Sequence, residues 1–181
     1  FGRLDWQLNA TNLLTIRNNY NRDVNDLGIN DNSKINLFEV YGTHVSSDNS
    51  LLASLRSVFG PKMTNEAKLQ YLYTLDDGQP SKQVPSSNIP RAIVENITST
   101  IDGKEYKLSS IQLGGQRYVP EKFVNNVIQF VDNLYYNTDK VNYTFGIDLM
   151  YTHLSSKATS EMNGRYYYKG LEAFENNTPY R

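Results

Sequence analysis

The sequence predicts a mainly β chain: an antiparallel meander of long hairpins with long loops between them. Three observations carry that reading. In VNYTFGIDLMYTHLS, residues 141–155, Val141, Tyr143, Phe145, Ile147, Leu149 and Tyr151 fall on every second position, and Asn142, Thr144, Gly146, Asp148, Met150 and Thr152 lie between them. Strict period-two alternation is a strand with one apolar face. Short turn signals alternate along the chain with long polar connections. Tyr supplies 14 residues against a single Trp, and Asn is the most frequent residue; Tyr favours strands and Asn favours turns.

The elements follow in order. FGRLDWQL alternates Leu4, Trp6 and Leu8, the break NATN is a tight turn at 9–12, and LLTIRNNY returns as a hairpin partner. Residues 21–49 are mostly polar, with only NLFEVYG fit for a strand, and read as a long loop or a loop carrying a short hairpin. LLASLRSVF places Leu51, Ala53, Leu55 and Phe59 on one face, and Ser54 and Arg56 on the other. GPKMTN then breaks the strand at Gly60 and Pro61, and EAKLQYLYTL aligns Ala67, Leu69, Tyr71, Tyr73 and Leu75. Residues 76–119, rich in Ser, Pro and Gly, read as the longest irregular region. NVIQFVDNLYY, the turn NTDK and the stretch at 141–155 form the third pair. Beyond it, Asn163 and Gly164 have the chemistry of a type I′ hairpin turn.

One segment has two readings. PEKFVNNVIQFVDNLYY carries Phe123, Val127, Phe130 or Val131, and Leu134 at helical spacing, with Pro120 where a helix could start. Strand is preferred because the following strand pairs with it. A helix near 120–136 is the alternative, favoured if the segment refolds in isolation and must cover its own sheet.

Turns at Asn9, Gly60 and Asn137 are short, whereas the connections between one pair and the next are long. That asymmetry, with alternation over a length that crosses a bilayer as a tilted strand, is the plan of a transmembrane β-barrel. Asn142, Thr144, Asp148 and Thr152 would then face a watery lumen. The alternative is a secreted or periplasmic β-sandwich that binds carbohydrate or protein, in which the apolar face of residues 141–151 packs on a second sheet of the same chain.

Charge excludes some partners. Lys plus Arg number 18 and Asp plus Glu 19 among 181 residues, so there is no electrostatic footprint for nucleic acid. The absence of cysteine removes disulfides, thiolate metal ligands and thiol nucleophiles without choosing a compartment.

The combination DWQLNATNLLTIRNNY, SLLASLRSVFGPKMTNEAKLQYLYTLDD and IQFVDNLYYNTDKVNYTFGIDLMYTHLSS, followed by NGRYYYKGLEAFENNTPYR, resembles the barrel of TonB-dependent outer-membrane receptors. It is closest to the Oar-like subgroup with a carboxypeptidase-regulatory-like leading domain. The resemblance spans nearly the whole chain and rests on loose patterns of strand, turn and aromatic residue. It implies a roughly 22-stranded barrel with a plugged lumen, import of a nutrient, coupling to the TonB system through the plug, and contact with outer-membrane lipid. No plug, TonB box or closing strand is recognisable, so residues 1–181 are expected to be a single barrel segment of about six strands. Such a segment alone leaves two unpaired edges and a bare apolar face. It is expected to hide that face by curling, by self-association through its strand edges, or by laying a loop or helix over it.

Candidate sites are few. Sequons at Asn9, Asn96, Asn142 and Asn176 arise about as often by chance in so Asn-rich a chain. DVNDLG, residues 23–28, begins like a calcium loop but has Leu27 and Lys34 where oxygen ligands belong. His44 and His153 lack companions at metal or catalytic spacing, and Gly114 and Gly115 lack a phosphate-loop pattern. Tyr135 and Tyr136, with residues 166–168, offer a ligand platform, although adjacent tyrosines on a strand point to opposite faces. No catalytic, cofactor-binding or metal residue is assigned, no cofactor is implied, and a non-enzyme is expected.

Overall fold

A computed structural model describes residues 1–29, 35–80 and 89–181. Contacts divide the chain into two compact units: residues 1–22, 46–75 and 123–155 in the first, and 23–45, 76–122 and 156–181 in the second.

The first unit holds the body of a six-stranded sheet. Its strands are β1 (Gly2–Asn9), β2 (Asn12–Ile29), β4 (Gly42–Val58), β5 (Met63–Pro80), β8 (Glu121–Asn137) and β9 (Asn142–Lys157), hydrogen-bonded in that order. This is the expected meander. Each tight turn is made by its own residues. Asn9 Oδ1 accepts from Thr11 N at 3.0 Å and from Asn12 Nδ2 at 2.9 Å, as Asn does in turns. Phe59 N donates to Met63 O at 2.8 Å across Gly60 and Pro61. Thr138 N donates to Val141 O at 2.9 Å, while Val141 N donates to Thr138 Oγ1 at 2.9 Å. Residues 121–137 are strand, so the helix near 120–136 does not form; pairing on both sides outweighs the helical spacing of its apolar residues.

The second unit contains a second sheet. β3 (Ile35–Asn36), β6 (Arg91–Ile101), β7 (Lys104–Gly114) and β10 (Arg165–Lys169) lie in the order β10-β6-β7-β3, and β3, β6 and β7 fall in stretches expected to be loop. β6 and β7 form a hairpin closed by Asp102 and Gly103, both at positive φ (52° and 75°), the backbone of a type I′ turn. β10 runs parallel to β6, and β3 parallel to β7. NLFEVYG forms a 3₁₀ turn at Phe38–Val40 rather than a strand. Gly164 ends a turn closed by Gly164 N on Glu161 O at 3.0 Å, and the following strand pairs with β6, so no hairpin forms at Asn163. Helix α1 (Gly170–Glu175) packs on β6 and β10. Tyr168 meets Phe174 edge to face with ring centroids 5.1 Å apart, beside Val94 and Ile97.

Burial separates the two units. Every buried apolar side chain among the described residues (Val40, Ile93, Val94, Ile97, Val119 and Tyr168) belongs to the second. The first buries only small polar ones, such as Ser47 and Ser57. Phe145, Leu149 and Tyr151 are 61%, 56% and 64% exposed. Among the described residues no loop or helix covers them, and they do not pack on a second sheet as a sandwich requires.

Candidate functional site

The pleat of the six-stranded sheet sorts side chains by chemistry. On β1 and β2 the register sets Leu4 opposite Ile16 and Trp6 opposite Leu14. Leu14, Ala53, Leu55, Ala67, Leu69 and Phe130 surround one shallow depression across β2, β4, β5 and β8. Tyr136 stacks on Tyr143 at 6.3 Å, and Tyr143 on Phe145 at 6.4 Å. The apolar face therefore extends across all six strands, as alternate residues on paired strands require.

Three polar pairs interrupt it, each satisfied across strands: Asn18 to Asn49 at 2.7 Å, Asn65 to Asp132 at 2.8 Å, and Tyr71 to Asn126 at 2.7 Å. Asn65 Nδ2 also donates to Asn133 O at 3.3 Å. Replacing Asn65 by Leu is expected to leave the half-buried Asp132 carboxylate without its donor and to cost about 1–3 kcal/mol. The urea midpoint in detergent micelles reads this; an unchanged midpoint would show that the pair contributes nothing.

The opposite face is polar and charged. Arg3 clasps Asp5 through two nitrogens at 2.9 and 3.1 Å, and Thr15 donates to the same carboxylate at 2.6 Å. Gln129 donates to both oxygens of Asp148 at 2.8 and 3.0 Å. Gln70 reaches Ser50 at 3.1 Å, and Lys68 pairs with Glu66 at 2.9 Å. Gly146 lies against Asn133, whose Oδ1 would be 2.5 Å from an added Cβ. The residues read as lumen-facing, Asn142, Thr144, Asp148 and Thr152, occupy this side of β9.

The second unit encloses one small cavity, about 10 Å³, walled by Arg91, Gln116, Arg117, Glu161 and Arg165 among others. It has room for about one water molecule and for no larger ligand. Glu161 ties this wall together, 2.8 Å from Arg165 and 3.7 Å from Arg117. Tyr180 donates its hydroxyl to Glu95, and that bond raises the phenol above its ordinary pKa because a phenolate there would face a carboxylate.

The residues singled out in the sequence are dispersed. Asn9 builds the first turn, Asn96 sits on β6 at a φ of 56°, Asn142 opens β9, and Asn176 caps α1. Residues 23–28 are strand rather than a cation loop, and Lys34 lies outside the described residues. His44 acquires a partner that spacing did not reveal: its Nε2 is 2.9 Å from Asp76 Oδ1 across β4 and β5. His153 lies on β9. Among the described residues no three His, Cys, Asp or Glu come together to hold a metal. Gly114 and Gly115 end β7 in contact with the backbone of Ile89 and Pro90. Of the tyrosines, Tyr135 lines a cleft on the polar face with Arg56 and Tyr136 lies on the apolar face, while in the second unit Tyr166 is exposed, Tyr167 meets Tyr180, and Tyr168 is core.

A sheet with one bare apolar face, one charged face, and tight turns alternating with long connections belongs to a barrel wall seated in a bilayer. No helix of the described residues is long and apolar enough to cross a membrane. No curated protein and no solved structure matches the chain. The family model for the outer membrane beta barrel domain matches residues 1–180, and the chain belongs to that family, a family of the outer membrane.

Proposed function

We propose that the chain is part of the barrel of a TonB-dependent receptor that imports a nutrient across the outer membrane. The apolar face meets lipid, the charged face lines the lumen, and a plug supplied elsewhere in the receptor couples transport to the TonB system. The carrying observation is the two-faced six-stranded meander. The resemblance of the strand and turn segments to the Oar-like subgroup supports the narrower assignment.

Strand length supports it too. β2, β4, β5, β8 and β9 run 16–18 residues, whereas a tilted strand crosses the hydrocarbon in about 9–11. The surplus gives a receptor structured segments beyond the bilayer. The wall does no chemistry itself: it positions and selects.

The test is the full-length gene product in its host. A plug domain that binds the periplasmic domain of TonB, in a protein that fractionates with the outer membrane, is the expected result. An outer-membrane product with neither plug nor TonB binding would leave the barrel and remove the receptor.

A further inference from the structure

We infer that the charged face carries a binding site for a small oxyanion, a carboxylate- or phosphate-bearing solute, centred on Arg17. The inference rests on the reading of this face as a lumen wall open to solute. It starts from the register of β1 and β2, which sets Arg3 directly opposite Arg17. Like charges in directly opposed positions of an antiparallel pair repel and destabilise it.

Only one of the two is neutralised. Arg3 holds Asp5 in a two-pronged clasp, and Thr15 takes up a further lone pair of that carboxylate. The Arg17 side chain has no hydrogen bond or ion pair among the described residues, so its guanidinium donors remain open on an exposed face. Two strands away, Lys68 shares the same cleft with Glu66.

The cleft has the size and lining for a ligand. It measures about 280 Å³ and is walled by Arg3, Thr15, Arg17, Leu52, Ser54, Glu66 and Lys68: three cations, two carboxylate partners counting Asp5, and two hydroxyls. A planar guanidinium with uncommitted donors suits a carboxylate or phosphate edge, which it binds through two parallel hydrogen bonds. An anion seated there would also relieve the repulsion between Arg3 and Arg17. Arg56 lines the adjoining cleft with Thr64, Glu66, Tyr135 and Asn137, which extends the positive track along the wall.

The experiment titrates inorganic phosphate, and separately citrate, into the full-length protein folded in detergent micelles at about 0.15 M salt, where distant surface charges are screened. Saturable binding of either probe is expected, weakened about tenfold or more in Arg17→Gln, less in Arg17→Lys, and not at all in Lys62→Gln at the β4–β5 turn. Far-UV circular dichroism of each variant confirms that the sheet persists. Absence of saturable binding, equal affinity in wild type and Arg17→Gln, or equal weakening by Lys62→Gln would overturn the site. Binding is read without transport: a site lost in Arg17→Gln within a protein that proves not to be TonB-coupled keeps this inference and removes the receptor, and a TonB-coupled importer indifferent to Arg17 does the reverse.

Discussion

Ile147→Arg is expected to lower the stability of the membrane-inserted protein by about 2–4 kcal/mol, because a charge carried on the lipid side of a barrel near the bilayer midplane costs that much. Thr144→Arg, three residues earlier on the other face of β9, is expected to stay within about 0.5 kcal/mol, as a substitution in a water-lined position does. Urea titration of the protein folded into lipid vesicles measures both. The contrast is the informative quantity, since the two variants add the same charge to the same strand. Equal effects would mean that both faces of β9 see the same medium.

Gly114→Ala is expected to be the most damaging small substitution in the second unit. Gly114 has a φ of 87°, and a Cβ there would lie 2.3 Å from Pro90 O; at Gly115 the corresponding distance is 2.2 Å, to Ile89 O. Backbone oxygens cannot swing aside, so the end of β7 must separate from the start of β6, where Arg91 pairs with Gly114. Each alanine should cost more than about 2 kcal/mol, read as faster amide exchange along Ile93–Ile97 and Leu108–Gln112. Gly146→Ala offers a mild comparison: its Cβ would be too close only to the Asn133 side chain, which can rotate, and at ordinary contact distance, 3.5 Å, from Asp132 O. Native-like exchange in Gly114→Ala would contradict the tight approach of these strands.

The strands of the six-stranded sheet were legible because half of their residues are apolar at period two. Residues 21–29 and 42–49 continue β2 and β4 without that signature: the first stretch is exposed along nearly its whole length, and the second buries small or polar residues such as Thr43 and Ser47 in place of alternating apolar ones. The hairpin at 91–114 carries a strong short-range turn signal in Asp102–Gly103, but the Ser and Pro content of the surrounding residues 76–119 masks it. Asn163–Gly164 shows the opposite error, since the right turn residues there lead into a strand that pairs with β6 instead of folding back.

The anion site needed register that no spacing supplies. The turn pairs Asn9 with Asn12, and continuing that pairing would set Arg3 against Asn18. An irregularity between Gln7 and Asn9 shifts the ladder by one residue and sets Arg3 against Arg17. Only the shifted register also aligns Leu4 with Ile16 and Trp6 with Leu14. The apolar face therefore dictates the shift, and the opposed arginines follow from it. The His44–Asp76 pair likewise depends on how β4 and β5 align, 32 residues apart in sequence.

Lipid on the odd-numbered side of β9 and water on the other is the arrangement that a barrel wall requires. The chain has no cysteine, so single cysteines at positions 143 to 152 can be introduced without removing any, labelled with a fluorophore, and placed in vesicles containing brominated lipid. Quenching by lipid at 143, 145, 147, 149 and 151, with 144, 146, 148, 150 and 152 reached instead by a water-soluble quencher, is the predicted result. Quenching without alternation, or with the two sets exchanged, would contradict it.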